Sequence, residues 1–303
     1  MEVARVKYNN YRREHFQTAT VILEAPGRRH VVKRGLSRES APHIKSLQGK
    51  FEALHASHRR FYVIPPVIVN AEAHFEFDKG TSLLAKLCNL MRIGDLEGFE
   101  LELMKFAGAV GDAARPTSAW WRSEGFVQIF GEIPPKFQRS TLCLSPANID
   151  MVFSNVHVRN DEDVPYAMFD YEWTFDFPVP LEYVLWRALS RFSKTLNATT
   201  HQRWTNERLC RTVGVDVESF PLFEAMERRF QNYVYGDQEF QNTPEDVNHQ
   251  VPILDFEKLA TWVASSPERA MRQPRKQRYA FLKRVLGPAL PYARRIRKRL
   301  SGR

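Results

Sequence analysis

The pattern of apolar and polar positions predicts strands at the start of the chain. Residues 16–23 are rich in β-branched side chains, and a polar turn at 25–27 separates them from a second strand-like run at 30–33. Apolar side chains three or four positions apart then predict a helix over 41–58. Residues 61–77 predict two more strands around a proline pair, because proline is confined to turns or edge strands. The first eighty residues therefore predict a small antiparallel sheet with one helix.

The remainder of the chain is mainly helical by the same criterion. From about residue 95 the pattern has the helical period, including clear helices over 181–196 and 220–235, and one hairpin interrupts it near 155–170. No internal repeat is visible. We therefore expect an α+β fold of two lobes: a sheet-rich lobe over 1–80 and a larger helical lobe over 81–270, followed by a tail over 271–303.

Candidate chemistry lies in the middle of the chain. Asp150 and Asn155 are five positions apart, and an alternating strand starts directly after Asn155. A polar turn at 159–163 then leads to a second strand that ends at Asp170. A hairpin brings these three oxygen donors to the same end. Phosphoryl transfer needs such a cluster, because Mg²⁺ prefers carboxylate and amide oxygens and a further carboxylate receives the proton of the attacking hydroxyl.

This segment resembles the catalytic hairpin of the protein-kinase-like superfamily. The resemblance implies that Asp150 is the catalytic base and that Asn155 and Asp170 bind the metal. Glu172 is expected to support the metal without binding it directly. The run Asp170-Tyr-Glu-Trp173 is similar to the Asp-x-Glu variants of bacterial small-molecule and lipopolysaccharide kinases of the aminoglycoside-phosphotransferase type. A two-lobed protein-kinase-like fold with ATP and Mg²⁺ as cofactors is therefore expected.

The resemblance extends over residues 5–260. Lys33 ends a strand, as the phosphate-binding lysine of the family does, and Glu52 lies nineteen positions later in the predicted helix, where the lysine-pairing glutamate is expected. Residues 75–84 are similar to the segment that receives adenine. The family's glycine-rich loop is missing from the turn at 8–14, so we expect side chains of Arg12 or Arg13 to hold phosphate instead.

Two alternatives stay open at this point. In a competing register, residues 144–149 match a Leu-x-Pro-x-Asn-Ile motif of aminoglycoside kinases, and Cys143 then takes the position of the base, which would mean an inactive enzyme. We prefer the register of Asp150 because the hairpin strand starts directly after Asn155. Each of these residues alone is typical of a cap, a turn or a solvated surface; only the ordered set indicates a site. Asp176, between two aromatic residues, is expected to need a polar partner.

Composition excludes several classes of protein. The 303 residues are 43% apolar and 26% charged, which is a globular balance, and no apolar run of membrane-spanning length is present. The N-terminal residues carry charges where a signal peptide needs apolar ones. The three cysteines are far apart, which disfavours a disulfide framework and suits a reducing cytoplasm, and we expect all three to be buried thiols. The histidine spacing indicates no transition-metal site.

The net charge of +9 is concentrated in the tail. Residues 271–303 hold twelve Lys and Arg and no Asp or Glu, whereas the other residues hold 32 basic and 35 acidic side chains. Apolar positions in the tail share one helical face, a basic amphipathic pattern that suits an anionic membrane surface. A solvated or protein-bound tail is the alternative, and nucleic acid is unlikely because no recognition motif accompanies the charges.

The sequence therefore predicts an ATP- and Mg²⁺-dependent phosphotransferase. Its acceptor is expected to be a sugar hydroxyl of a cell-surface or lipid-linked glycan, and its location the cytoplasmic face of the membrane, where the tail would bind peripherally. The alternative is an inactive pseudokinase that serves as a binding or scaffold module in glycan assembly. The missing glycine-rich loop and the presence of Asn148 in place of the family's histidine motivate this second hypothesis.

Overall fold

The structure, a computed structural model, describes residues 2–197 and 204–236. These residues belong to one compact unit that extends from Met1 to Val251. The tail over 271–303, predicted to be amphipathic, and the end of the second predicted lobe lie outside the described residues. Within the described part of the chain, no helix is both long and apolar enough to cross a membrane.

The N-terminal part forms an antiparallel sheet of five strands in the order β1-β2-β3-β6-β5. Gly27 (φ +74°) lies in the two-residue turn that joins β2 to β3, a turn in which glycine adopts a positive φ without steric cost. The predicted strands at 16–23 and 30–33 are confirmed, and a first strand was missed by the sequence pattern. The elements of this part are β1 (Glu2–Tyr8), β2 (Thr18–Ala25), β3 (Arg28–Gly35), α1 (Ala41–Lys45), α2 (Leu47–Ser57), β4 (Phe61–Val63), β5 (Val67–Val69) and β6 (Glu72–Glu76).

The rest of the described chain is mainly helical, and the molecule is α+β as predicted. The helices predicted over 181–196 and 220–235 are confirmed, as is the hairpin near 155–170. The elements of this part are β7 (Thr81–Ser82), α3 (Leu83–Ile93), α4 (Leu96–Gly111), β8 (Arg115–Thr117), α5 (Glu124–Phe130), β9 (Thr141–Leu144), β10 (Ala147–Asn148), β11 (Val156–Val158), β12 (Tyr166–Met168), β13 (Thr174–Phe175), β14 (Val179–Pro180), α6 (Leu181–Asn197), α7 (Asn206–Thr212) and α8 (Phe220–Tyr235).

Two predicted elements differ from the structure. The single helix expected over 41–58 is divided into α1 and α2 at Ser46. The two strands expected over 61–77 are three, and β4 does not join the N-terminal sheet. It pairs in parallel with β12, with Phe61 opposite Tyr166 and Val63 opposite Met168. A second sheet with the order β4-β12-β11-β7 therefore connects the first eighty residues to the hairpin that carries the candidate chemistry.

Aromatic side chains after the hairpin pack into the core, as expected from their spacing. The rings of Phe175 and Phe177 stack with centroids 5.0 Å apart, and Trp173 packs edge-on against Phe230 of α8 at 5.2 Å. Asp176 was expected to need a polar partner because it lies between two aromatic residues, but its side chain is exposed just after β13 ends at Phe175, so burial does not require one.

The three cysteines are all free thiols. Cys143 and Cys210 are buried and Cys88 is half-buried, so the prediction of buried thiols is confirmed for two of them.

Candidate active site

The loop between β10 and β11 brings Asp150 and Asn155 together. A turn of 3₁₀ helix over 153–155 ends at Asn155, whose Nδ2 donates to the Asp150 carbonyl at 3.1 Å and approaches its Oδ2 at 3.4 Å. The fully buried Asn148 accepts a hydrogen bond from the Asp150 backbone N–H at 2.9 Å. The side chain of Asn148 therefore holds the backbone at Asp150 in place.

Asp170 follows β12 at the same end of the hairpin. The backbone N–H of Phe169 donates to the Asn155 carbonyl at 3.2 Å, which joins the two strand ends as the sequence predicted. Asp170 has a left-handed backbone (φ +57°), a conformation that costs about 1 kcal/mol or more for a residue with a Cβ and is kept only where the surroundings hold it. Its side chain is 32% exposed, so its carboxylate remains accessible.

Lys33 of β3 reaches this carboxylate from the other part of the molecule. Its Nζ donates to Asp170 Oδ1 and, at 2.8 Å, to Glu172 Oε2. Burial alone lowers the pKa of Lys33, but the two carboxylates outweigh burial and raise that pKa above its usual value. Lys33 is therefore a fixed cation beside Asp170.

Glu172 is a buried carboxylate surrounded by cations. Its side chain is 2% exposed; Oε1 accepts from Arg12 Nη1 at 2.6 Å, and Oε2 lies near the Lys33 ammonium and 3.7 Å from His43 Nε2. Burial raises the pKa of Glu172, yet Arg12 and Lys33 hold that pKa well below its usual range. Glu172 is linked to Asp170 through Lys33, which contacts both carboxylates, and its predicted support of the metal stays a prediction.

The two arginines of the predicted phosphate-binding turn have different surroundings. Arg12 lies half-buried over the Trp173 ring, with its guanidinium carbon 5.2 Å from the ring centroid and its carbonyl bound by Gln17. Arg13 is exposed, and its backbone N–H binds the Val234 carbonyl near the end of α8. The structure therefore brings Arg12, and not Arg13, to the cluster around Glu172.

The predicted pair between Lys33 and Glu52 is wrong. Glu52 lies five positions after the buried Leu47, about 140° around helix α2, so it faces solvent and accepts from Gln48 at 2.8 Å. Lys50, on the inner face of the same helix, donates instead to the Glu172 carbonyl at 2.5 Å. Burial is the main cause that lowers the pKa of Lys50, to about 8. The spacing of three from Leu47 was the sequence signal for Lys50.

Cys143, the base in the competing register, lies in β9, the central strand of the three-stranded sheet β14-β9-β8. It is 2% exposed, with strand neighbours on both sides, and burial raises the pKa of its thiol to about 12. A protonated, buried thiol is neither a base nor a nucleophile. Asp150, in contrast, contacts Asn155, so the geometry favours the register of Asp150.

One further charged residue enters the site from α6 and was missed by sequence reasoning. Arg187 Nη1 donates to Asp150 Oδ1 at 2.6 Å and to the Ile149 carbonyl at 2.8 Å, and its Nε donates to Glu227 Oε2 of α8 at 2.9 Å. Burial lowers the pKa of Arg187, but the carboxylates of Glu227 and Asp150 outweigh it and raise that pKa. An arginine inside the apolar run of this helix was the available signal.

The donor set suits a magnesium ion that arrives with a phosphate ligand. Among the described residues, no group of three or more His, Cys, Asp or Glu side chains could hold a metal by itself. Asp170 and Asn155 supply one accessible carboxylate and one amide, and the amide Oδ1 has only a 3.3 Å hydrogen bond from Ser154. Mg²⁺ commonly takes one or two protein oxygens together with phosphate and water, so the residues present fit this ion.

The predicted adenine-binding segment over 75–84 connects the two sheets. β6 ends at Glu76 and β7 begins at Thr81, which leaves a four-residue linker. Its Asp78 Oδ2 lies 3.2 Å from His157 Nδ1 of β11. The linker therefore lies beside the strand that follows Asn155.

Comparisons with known proteins find partial likenesses among solved structures, all at low sequence identity. No family model matches the chain, and a search of curated proteins finds no match. Among solved structures, the aminoglycoside phosphotransferase APH(3'')-Id from Streptomyces rimosus is 11% identical, with a TM-score of 0.46 over 70% of this chain and 89% of that chain. The choline kinase LicA from Streptococcus pneumoniae is 10% identical, with a TM-score of 0.40 over 81% of this chain and 90% of that chain.

A third similar structure is the Rio2 kinase complex with ADP, Mg²⁺ and phosphoaspartate from Chaetomium thermophilum. It is 10% identical, with a TM-score of 0.37 over 77% of this chain and 70% of that chain. All three names are those of kinases or phosphotransferases.

Proposed function

We propose that this chain is an ATP- and Mg²⁺-dependent phosphotransferase with an alcohol acceptor. The contact between Lys33 and Asp170 carries the proposal. It joins residues 137 positions apart and places a buried cation next to an accessible carboxylate. Asn155 and Asp150 adjoin the same strand ends, so a cation for phosphate, a metal-binding pair and a base are present together.

In this proposal each group has one task. Asp150 orients the acceptor hydroxyl and receives its proton, a role that requires position more than strong basicity in phosphoryl transfer. Lys33 binds the nucleotide phosphates. Asp170 and Asn155 would hold Mg²⁺, which when bound neutralises charge on the phosphate oxygens.

Side-chain cations replace the missing glycine-rich loop. Three cations, Arg12, Lys33 and Lys50, surround two carboxylates, Asp170 and Glu172, which leaves a net positive charge for phosphate. Because burial lowers the pKa of Lys50 to about 8, this third charge is present at neutral pH and lost in more alkaline solution. Glu172 serves as the common anion that keeps these cations together.

The proposed acceptor is a sugar hydroxyl of a cell-surface or lipid-linked glycan, and the proposed location is the cytoplasmic face of the membrane. The similarity of Asp170-Tyr-Glu-Trp173 to lipopolysaccharide kinases supports the acceptor. The twelve positive charges of residues 271–303 support the location, since each adds about 1 kcal/mol near an anionic surface.

The proposal is tested by Asp150→Asn, with Asp176→Asn as the matched control. We expect Asp150→Asn to lower the turnover of Mg-ATP at least about 100-fold, because general base catalysis contributes a factor of this order, and to change nucleotide affinity less than threefold. Asp176 is exposed and lies outside the cluster, so its variant keeps wild-type turnover. A fully active Asp150→Asn protein contradicts the assignment.

The scaffold hypothesis makes the opposite prediction for the wild-type protein. A catalytically inactive module shows no phosphate transfer and no hydrolysis with Mg-ATP. If Mg-ATP also causes no shift of the melting temperature, the proposed nucleotide site is contradicted as well.

The location is tested separately, by deletion of residues 271–303. We expect the deleted protein to leave vesicles that contain phosphatidylserine, and unchanged partitioning contradicts the membrane proposal.

A further inference from the structure

Arg187 is a charged residue in a buried position of α6. Its side chain is 3% exposed, while most neighbouring positions of the helix carry buried apolar side chains. A guanidinium in such a place is costly unless its donors are satisfied and its charge is balanced. The position of Arg187 therefore has to be explained by what it binds.

The guanidinium connects three parts of the molecule. Nη1 donates to the Asp150 carboxylate and to the Ile149 carbonyl, and Nε donates to Glu227, which also accepts from the Tyr183 hydroxyl at 2.9 Å. The guanidinium carbon lies 5.2 Å from the centroid of the Phe230 ring. The helices α6 and α8 thus hold the guanidinium rigidly against the loop that carries Asp150.

The two oxygens of Asp150 have different surroundings as a result. Oδ1 is bound by Arg187 at 2.6 Å, whereas Oδ2 has only the long approach of Asn155 Nδ2 at 3.4 Å. We propose that Arg187 is the positioning residue of this site, which fixes Asp150 through Oδ1 and leaves Oδ2 for the acceptor hydroxyl. This inference rests on the proposed phosphotransferase function.

The arrangement requires the planar fork of arginine. One guanidinium binds Asp150, the Ile149 carbonyl and Glu227 at the same time, at 2.6, 2.8 and 2.9 Å. Lysine keeps the charge but lacks this fixed geometry, so it cannot reproduce the orientation of Asp150. One carboxylate, that of Glu227, is enough to balance the charge of Arg187. The additional contact with the Asp150 carboxylate therefore serves the loop that carries Asp150.

The test compares Arg187→Lys and Arg187→Met with Glu102→Gln. Glu102, which is buried, forms an ion pair with the partly exposed Lys86 and accepts from the Tyr166 hydroxyl, at a place outside the candidate site, so its variant reports a stability loss alone. The measurements are kcat for Mg-ATP hydrolysis, the Kd of Mg-ATP by calorimetry, and the melting temperature of the full chain. Each is repeated in the Asp150→Asn background.

We expect both Arg187 variants to lower kcat at least tenfold and to leave the Kd of Mg-ATP within threefold. Glu102→Gln is expected to lower the melting temperature and keep kcat. In the Asp150→Asn background the Arg187 variants cause no further loss, because the group that Arg187 positions is already inactive. Arg187→Lys is included because it keeps the charge that balances the buried carboxylates, so it tests the inference even if Arg187→Met does not fold.

Two results overturn the inference and leave the proposed function intact: wild-type kcat in Arg187→Lys, or losses from Arg187 and Asp150 that multiply in the double variant. If the wild-type chain neither binds nor hydrolyses Mg-ATP, the proposed function fails and the positioning role fails with it. The wild-type measurement therefore separates the two failures.

Discussion

Replacing Glu172 by Gln tests the centre of the charge cluster. The change keeps the shape of the side chain and removes the charge that Arg12 and Lys33 share. Two buried cations then lose their common counter-ion, which is the situation in which a buried ion pair has its largest effect on stability. We expect Glu172→Gln to lower the free energy of unfolding substantially.

The contacts of Glu172 give the size of this effect. Its carboxylate is 2% exposed and accepts two charged hydrogen bonds, at 2.6 and 2.8 Å. Each such bond contributes about 1.5–3 kcal/mol, and breaking a buried pair from one side costs about 3–5 kcal/mol. We therefore expect a loss of about 3–5 kcal/mol at neutral pH, which is a large part of the stability of a typical domain.

The assay is equilibrium urea unfolding from pH 3 to pH 7, with Glu52→Gln as the control. The pKa of Glu172 is lower in the folded than in the unfolded chain. The stabilisation by its carboxylate is therefore present at a pH above the ordinary pKa of glutamate and is lost as the pH falls through the lower pKa of the folded chain. The difference between wild type and Glu172→Gln should shrink on acidification. Glu52 is exposed, so its variant should cost less than about 0.5 kcal/mol. Equal losses for the two variants would refute the assignment of Glu172 as the partner of Lys33.

Three further predictions concern other parts of the fold. His58 is 1% exposed, and burial lowers its pKa to about 4, so the unfolded chain binds more protons than the folded chain in acid. The free energy of unfolding of the wild type should therefore fall by about 2 kcal/mol between pH 7 and pH 5. His58→Gln should remove this pH dependence, as measured by urea unfolding. In a thiol-labelling assay, Cys88 should react in the folded protein, and Cys143 and Cys210 only after unfolding. Gly131→Ala should lower the free energy of unfolding by about 1–3 kcal/mol in thermal unfolding, because φ is +70° and an added Cβ would lie 2.6 Å from a guanidinium nitrogen of Arg229.

The order of elements could be predicted because its signals are local. The helices at 181–196 and 220–235 have strong apolar periodicity, and the structure places them at Leu181–Asn197 and Phe220–Tyr235. The strand β4 has the same local signal as β5 and β6, and its separate pairing depends on a partner about a hundred residues later. Local patterns carry no information about such a partner, so its sheet could not be predicted.

The sequence pointed to Asp150, Asn155 and Asp170, and it missed Lys50 and Arg187. Asp150, Asn155 and Asp170 lie on one hairpin, so their spacing alone brings them together. The partner of Lys33 was assigned to Glu52 by position, but the rotation of α2 turns that side chain to solvent. Arg187 comes from a helix 37 positions after Asp150, and only the tertiary packing reveals the contact.

The parallel pairing of β4 with β12 means that the chain passes between the two sheets more than once. It leaves the N-terminal sheet to form β4, returns for β5 and β6, and leaves again through the linker to β7. Cutting the chain near residue 80 would expose the backbone edge of β12 and remove one strand from a four-stranded sheet. The segment before residue 80 is therefore a poor candidate for exchange between related proteins or for separate expression, and grafting experiments should place their junctions elsewhere.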